Sequence, residues 1–217
     1  LTRDQWSQML YMTYGPDGQV WVIDWYDRQQ CHLREPDKHD RSNGRIYRIV
    51  PDGFRPRPQP RLRDASTAEL VALLEHRNGW LRDTASRLLY ERQDRAAIEP
   101  LRILARSSEF PQARSHAMES LSGLGSLDAA DVLRALDDRD VRIREHAVRL
   151  AERFAADPSV AERLTQMTDD AELTVRYQLA FSLGAVPGAS RDDALARLAV
   201  RDGGDSWVRL AILSSVG

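Results

Sequence analysis

Within seventeen residues the chain gathers Asp24, Asp27, His32, His39, Asp40 and its single cysteine, Cys31. Carboxylate, imidazole and thiolate are the ligand types of divalent metals. Two ligand sets suit this segment: calcium through Asp24, Asp27 and backbone carbonyls, or zinc through Cys31 and a histidine. The spacing matches no standard zinc pattern. The competing reading is structural, with Asp24 and Asp27 capping turns while His39-Asp40-Arg41 ties a polar loop down by hydrogen bonds and an ion pair. The structural reading is favoured, because polar loop clusters hold a loop together more often than they bind an ion.

Cys31-His32 has the ending of a covalent haem motif, but the residue three before Cys31 is Arg28, not a second cysteine. One cysteine also excludes an internal disulfide and a multi-cysteine zinc site. Trp25 and Tyr26, beside the same loop, are candidates for an exposed binding rim, whereas alternate members of the Trp21–Tyr26 stretch are expected in a core, since a strand's period of two turns one side inward. No glycine-rich phosphate loop, Ser-His-Asp order or metalloprotease helix motif occurs.

A third set is periodic. Leu81-Arg82, Ala113-Arg114, Ile143-Arg144, Val175-Arg176 and Val208-Arg209 place an arginine every 32, 30, 32 and 33 residues. Three residues after each arginine stands an apolar one: Ala85, Ala117, Ala147, Leu179 and Ile212. The arginines could line a concave anion-binding surface. The favoured alternative is a register-fixing ladder, because Asp138 and Asp170 each precede the next arginine by six residues. His116 and His146 lack a third ligand in sequence and read as helix-face residues.

The elements that must carry these residues change character along the chain. Residues 1–50 read as β: Leu10–Tyr14, Gln19–Trp25 and Arg45–Val50 are strand candidates, with a turn at Pro16-Asp17-Gly18. Two or three strands cannot bury a core alone. Residues 51–65, with prolines at 51, 56, 58 and 60, read as a stiff extended linker. From Ser66, a capping box (Ser66-Thr67-Ala68-Glu69) opens a helical array. First helices are expected near 66–76, 95–107, 127–137, 158–168 and 190–201, and second helices near 79–92, 111–123, 139–154, 171–184 and 205–217. A period near 30 with two amphipathic helices per unit predicts a mainly α solenoid of about five helix pairs over 66–217. The small residues at 85, 117 and 147 predict close helix packing.

Formal net charge is −2, and residues 66–217 hold 20 basic and 24 acidic side chains. Neither part has the basic excess of a nucleic-acid binder. Thirty of the 31 basic residues are arginine. No apolar run approaches the roughly 20 residues of a membrane span.

The array resembles HEAT repeats of the short bacterial kind, with Val-Arg-x-x-Ala opening the second helix. Gly15-Pro16-Asp17-Gly18-Gln19-Val20-Trp21-Val22-Ile23-Asp24-Trp25-Tyr26-Asp27, continuing to Gly44-Arg45-Ile46-Tyr47-Arg48-Ile49, resembles the last blade of the sugar-dehydrogenase-like β-propeller of planctomycete-type membrane-bound dehydrogenases. In that family HEAT-like repeats follow the propeller, and a c-type haem domain follows the repeats. The resemblance implies an internal piece of a longer, exported or periplasmic protein. The parent would oxidise a sugar or alcohol with a quinone such as PQQ and pass electrons to haem. The catalytic residues would lie upstream of Leu1, and the array would be a spacer or docking surface for the other domains. Leu1 at the start and Val216-Gly217 within an expected helix agree with a cut chain. The alternative is a stand-alone HEAT adaptor that binds a protein partner on its concave face.

Overall fold

The computed structural model describes residues 3–28, 35–40, 42–55, 58 and 61–216. Three strands form an antiparallel sheet in the order β1 (Met9–Tyr14), β2 (Val20–Asp24), β3 (Arg45–Ile49). Met12 stands opposite Val22, and Val22 opposite Tyr47. The β1–β2 turn needs Gly18, whose φ of 75° suits a residue without Cβ. Asp17 closes the turn by accepting from the Gln19 N–H at 3.1 Å.

The sheet has little core of its own. Val22 is buried, but Leu10, Tyr11, Met12, Ile23 and Ile46 are 47–70% exposed. Met12 and Ile46 lie on opposite faces, so both faces present apolar side chains.

Among the described residues ten α-helices follow in five antiparallel pairs: α1 (Thr67–Leu73) with α2 (Gly79–Arg92), α3 (Ile98–Ser107) with α4 (Pro111–Gly123), α5 (Ala129–Leu136) with α6 (Val141–Ala151), α7 (Pro158–Gln166) with α8 (Leu173–Ser182), and α9 (Ala189–Asp202) with α10 (Ser206–Ser215). Their starts follow local chemistry. The Ser66–Glu69 capping box forms, with Glu69 accepting from the Ser66 N–H at 2.7 Å. Asn78, Asp128, Asp140, Asp157 and Asp205 cap α2, α5, α6, α7 and α10, and Pro111 and Pro158 occupy first turns. Each helix buries one stripe against its neighbours, giving one continuous core from Leu70 to Ile212. Second helices pack against one another more closely than first helices do, which puts them on the inner side of the array. Ala85, Ala117, Ala147 and Leu179 are wholly buried at those contacts.

The expected linker differs at its C-terminal end. Leu62 is 7% exposed, and a short 3-10 turn (Leu62–Asp64) docks on α2. The Arg92 guanidinium donates to the carbonyls of Leu62, Arg63 and Ala65 at 3.2, 2.8 and 2.5 Å. Proline spacing marks extended backbone but cannot show that a leucine beyond it finds a groove. The sheet also touches the array. Asn78 Nδ2 donates to the carbonyls of Gly15 and Pro16 at 3.1 and 3.0 Å, and Tyr14 Oη donates to Asp83 at 3.2 Å. Gly79 permits this approach, since a Cβ there would meet Tyr14 Oη at 2.9 Å.

Candidate functional site

The loop cluster is held by its own chain. Asp24 is buried, accepting from the Gln8 N–H at 2.6 Å and from Ser7 Oγ at 3.0 Å. Asp27 is buried as well; it accepts from Trp25 Nε1 at 3.4 Å and meets His39 Nδ1 at 3.1 Å. Asp40 is engaged locally, by the Ser42 N–H at 2.9 Å and hydroxyl at 2.5 Å and by Asn43 Nδ2 at 2.8 Å. The Ser42 hydroxyl and N–H hold its carboxyl below the usual carboxylate range. Among the described residues no group of three or more His, Cys, Asp or Glu is gathered to hold a metal. Cys31, His32 and Arg41 lie outside the described residues, and with them the zinc set that used Cys31.

Beside this loop Trp25 is 45% exposed and Tyr26 half-buried. Tyr26 packs against Trp6 with ring centroids 5.6 Å apart, and the Arg45 guanidinium lies over its ring at 3.3 Å. Tyr26 is therefore committed to a packed aromatic–arginine stack, and Trp25 is the more open of the two.

The periodic arginines form a ladder whose geometry repeats. At three steps Nε and Nη2 fork onto an aspartate at the inter-helix turn of the next repeat. The Nε and Nη2 distances are 2.8 and 2.6 Å for Arg114–Asp138, 2.8 and 3.1 Å for Arg144–Asp170, and 2.7 and 2.8 Å for Arg176–Asp202. At every step Nη1 donates to the carbonyl six residues earlier: His76, Ser108, Asp138, Asp170 and Gly203. One guanidinium thus closes its own inter-helix turn and fastens the following repeat. Asp138 and Asp170 each serve the preceding arginine with the carboxylate and their own repeat's arginine with the carbonyl. Burial alone would raise the Asp170 pKa, but the bonds from Arg144 and the Glu172 N–H outweigh it and hold it low. The Arg176 bonds, against a smaller effect of burial, do the same for Asp202.

Two ladder features escaped the sequence pattern. Asp202 stands seven residues before Arg209, not six, so a search at fixed spacing passes over it. Asp131, on the first-helix side, gathers Arg102 at 3.1 Å, Arg134 at 2.9 Å and Arg106 at 3.6 Å. No periodic signal marks it.

The remaining candidate is the open face of the second helices. In its middle α4, α6 and α8 enclose a cleft of about 200 Å³ lined by Ser115, Arg142, Glu145, His146, Arg149 and Gln178. His146 Nε2 lies 2.8 Å from Glu119 Oε1 without hydrogen-bond alignment, so the contact is Coulombic; His116 Nε2 lies 3.5 Å from Asp83. Burial holds both imidazoles below their ordinary pKa, against the pull of these carboxylates. Towards the C-terminus the same face turns apolar: Tyr177 and Phe181 on α8, Trp207 and Leu210 on α10, with Phe181, Trp207 and Leu210 41%, 68% and 57% exposed.

Residues 67–149 match the family model for HEAT repeats. A comparison with curated proteins gives no match. Among solved structures, the complex of CpcE and CpcF of phycocyanin lyase from Nostoc sp. PCC7120 is similar at 19% identity and a TM-score of 0.52, over 77% of this chain and 68% of that one. An engineered protein is similar at 19% identity and a TM-score of 0.41, over 69% of this chain and 77% of that one. At such identity the likeness to the lyase complex concerns the fold alone. The helical part of the chain is an α-solenoid in which residues 67–149 match HEAT repeats, preceded by a small three-stranded antiparallel sheet.

Proposed function

We propose that this chain is a repeat scaffold that binds another protein along the face of its second helices. The observation that carries the reading is the composition of that face: a charged and imidazole-bearing middle around Glu119, Arg142, Glu145 and Arg149, continued by exposed Phe181, Trp207 and Leu210. Exposed aromatic and aliphatic anchors beside a polar margin are the make-up of protein interfaces. The similar lyase structure, a complex of CpcE and CpcF, supports the same reading. The test is affinity capture with the wild type and with Phe181→Glu/Leu210→Glu, whose exposed positions leave the core intact. A protein retained by the wild type and lost by the double variant supports the proposal. Equal retention overturns it.

A finer reading follows from the propeller resemblance of residues 15–49. The apolar side chains open on both faces of the sheet favour packing against further strands. On that reading the chain is an internal segment of an exported dehydrogenase-like parent, and the solenoid spaces or docks the quinone-bearing and haem-bearing parts. The chain's own residues do not fit the haem: covalent c-type attachment needs two cysteines, and Cys31 stands alone. The carboxylates of Asp24, Asp27 and Asp40 are bonded to Gln8, Trp25 and Asn43, so no catalytic step is assigned to them. Further blades upstream and a Cys-x-x-Cys-His downstream in the parent reading frame support this reading. A frame lacking both contradicts it.

A further inference from the structure

The ladder has one broken rung inside the array. At the position of Asp138 and Asp170, six residues before the ladder arginine, the second repeat carries Ser108. Ser108 still caps its turn. Its Oγ accepts from the Phe110 N–H at 3.2 Å, as Asp138 accepts from the Asp140 N–H and Asp170 from the Glu172 N–H. Its hydroxyl proton goes to Glu75 at 2.5 Å, so nothing from this residue meets the arginine of the preceding repeat.

That arginine is Arg82. Its Nη1 closes the turn like the others, on the carbonyls of His76 and Arg77 at 2.8 and 3.0 Å. Its Nε is buried and has no hydrogen-bond partner among the described residues. A buried guanidinium N–H without an acceptor is costly, so the site gains from any acceptor that enters. The Arg82 side chain borders a cavity of about 250 Å³, together with Glu75, His76, Arg77, Phe110 and Gln112.

We propose that this cavity is a carboxylate-binding site in which a ligand's carboxylate takes the place of the missing aspartate and accepts from Arg82 Nε and Nη2. The chemistry of the ligand follows from the molecule itself, because the same fork holds a carboxylate at three other steps. Charge favours a monoanion over a phosphate. The lining carries two guanidinium groups and one carboxylate, a formal balance of +1. The start of α4 adds the partial positive charge of a helix N-terminus through Gln112 and Ala113. The carboxylate can come from a small organic acid or from an acidic side chain of a bound polypeptide. The site lies at the inter-helix turns, and it stands whether or not the second-helix face binds a partner.

The test compares wild type, Ser108→Asp and Arg82→Gln in sodium acetate and in sodium chloride at equal ionic strength. It reads the melting temperature and the NMR resonance of the Arg82 Nε–H. Acetate at a ten-fold excess over Kd is expected to raise the wild-type Tm by about 3–6 °C above chloride and to move the Arg82 Nε–H downfield. Ser108→Asp supplies the carboxylate internally. It is expected to raise the Tm in chloride and to abolish both acetate effects, so the test holds even if Arg82→Gln fails to fold. A blocked Gly-Glu-Gly peptide that reproduces the acetate shift identifies an acidic polypeptide as a ligand; acetate acting alone identifies a small acid. No acetate effect on the wild type, or the same effect on Ser108→Asp, means a water-filled cavity and overturns the proposal.

Discussion

Replacing Asp202 with alanine removes the carboxylate from the last complete rung. Arg176 is 6% exposed and keeps only its Nη1 bonds, to the carbonyls of Asp170 and Ala171 at 2.6 and 3.0 Å. Two charge-assisted bonds, at 2.7 and 2.8 Å, are lost, and the guanidinium is left half-satisfied where water reaches it poorly. Breaking a buried pair from one side costs about 3–5 kcal/mol, and the Nη1 bonds that remain bring the expectation to about 2–4 kcal/mol. Over a chain of this size that lowers Tm by about 4–16 °C. The comparison is Glu109→Ala, which breaks a bridge to Arg139 at 2.6 Å between side chains 78% and 62% exposed. That change should stay within about 1 kcal/mol. Urea unfolding of both variants, with hydrogen exchange of α9 and α10, separates the two cases. Asp202→Ala should loosen the fifth repeat first, because each repeat rests only on its neighbours. If Asp202→Ala and Glu109→Ala shift the urea midpoint equally, the ladder is an ornament of the surface and the reasoning fails.

Asp131, Asp170 and Asp202 all have carboxyl pKa values held below the usual range. For Asp131 and Asp170 burial pushes upward and the arginine bonds outweigh it; for Asp202 the Arg176 bonds dominate. A lowered folded pKa stabilises the fold above the unfolded value of about 4, and that contribution is lost as pH falls through the folded values. The urea midpoint should therefore hold near neutrality and drop as pH falls below about 4; a flat profile down to pH 2 contradicts the assignment. Ala147 is wholly buried where second helices approach, so Ala147→Leu should overpack the contact and cost about 1–3 kcal/mol in chemical denaturation. An unchanged midpoint would mean the spacing there is loose. Asn78→Ala removes the cap of α2 and both bonds to the β1–β2 turn, at a cost of about 1–2 kcal/mol. Exchange should then rise in the sheet and at the start of α2 while α5–α10 keep their protection; a uniform rise contradicts a local role for Asn78.

Much of the fold was legible because its signals are local and repeated. The alternation around Val20 and Val22, the Ser66 capping box and the even spacing of the arginines each set one element or one period, and helix starts at Gly79 and Pro111 follow from residues beside them. The docking of Leu62 was not legible, since its groove is made by α2 some thirty residues later. The ladder was legible as a pattern of Arg and Asp, but not in its pairing: the carboxylate serves the arginine of the preceding repeat, which only the stacking of repeats decides. The apolar end of the second-helix face emerges only when equivalent positions are aligned in space. Asp83, Ser115 and Glu145 give way there to Tyr177 and Leu210, one residue after each ladder arginine. The broken rung is silent in sequence, because a serine before a helix reads as an ordinary cap.

The scaffold reading is tested most directly by placing a photo-cross-linking residue at Glu119, Arg149, Phe181 and Leu210 on the second-helix face, and at Ile103, Arg134 and Arg163 on first helices. Each labelled chain is then mixed with the protein captured by the wild type. Cross-links confined to the second-helix positions, and strongest at Phe181 and Leu210, are the expected result. Cross-links on the first helices, or equal yields on both sides, would contradict the account.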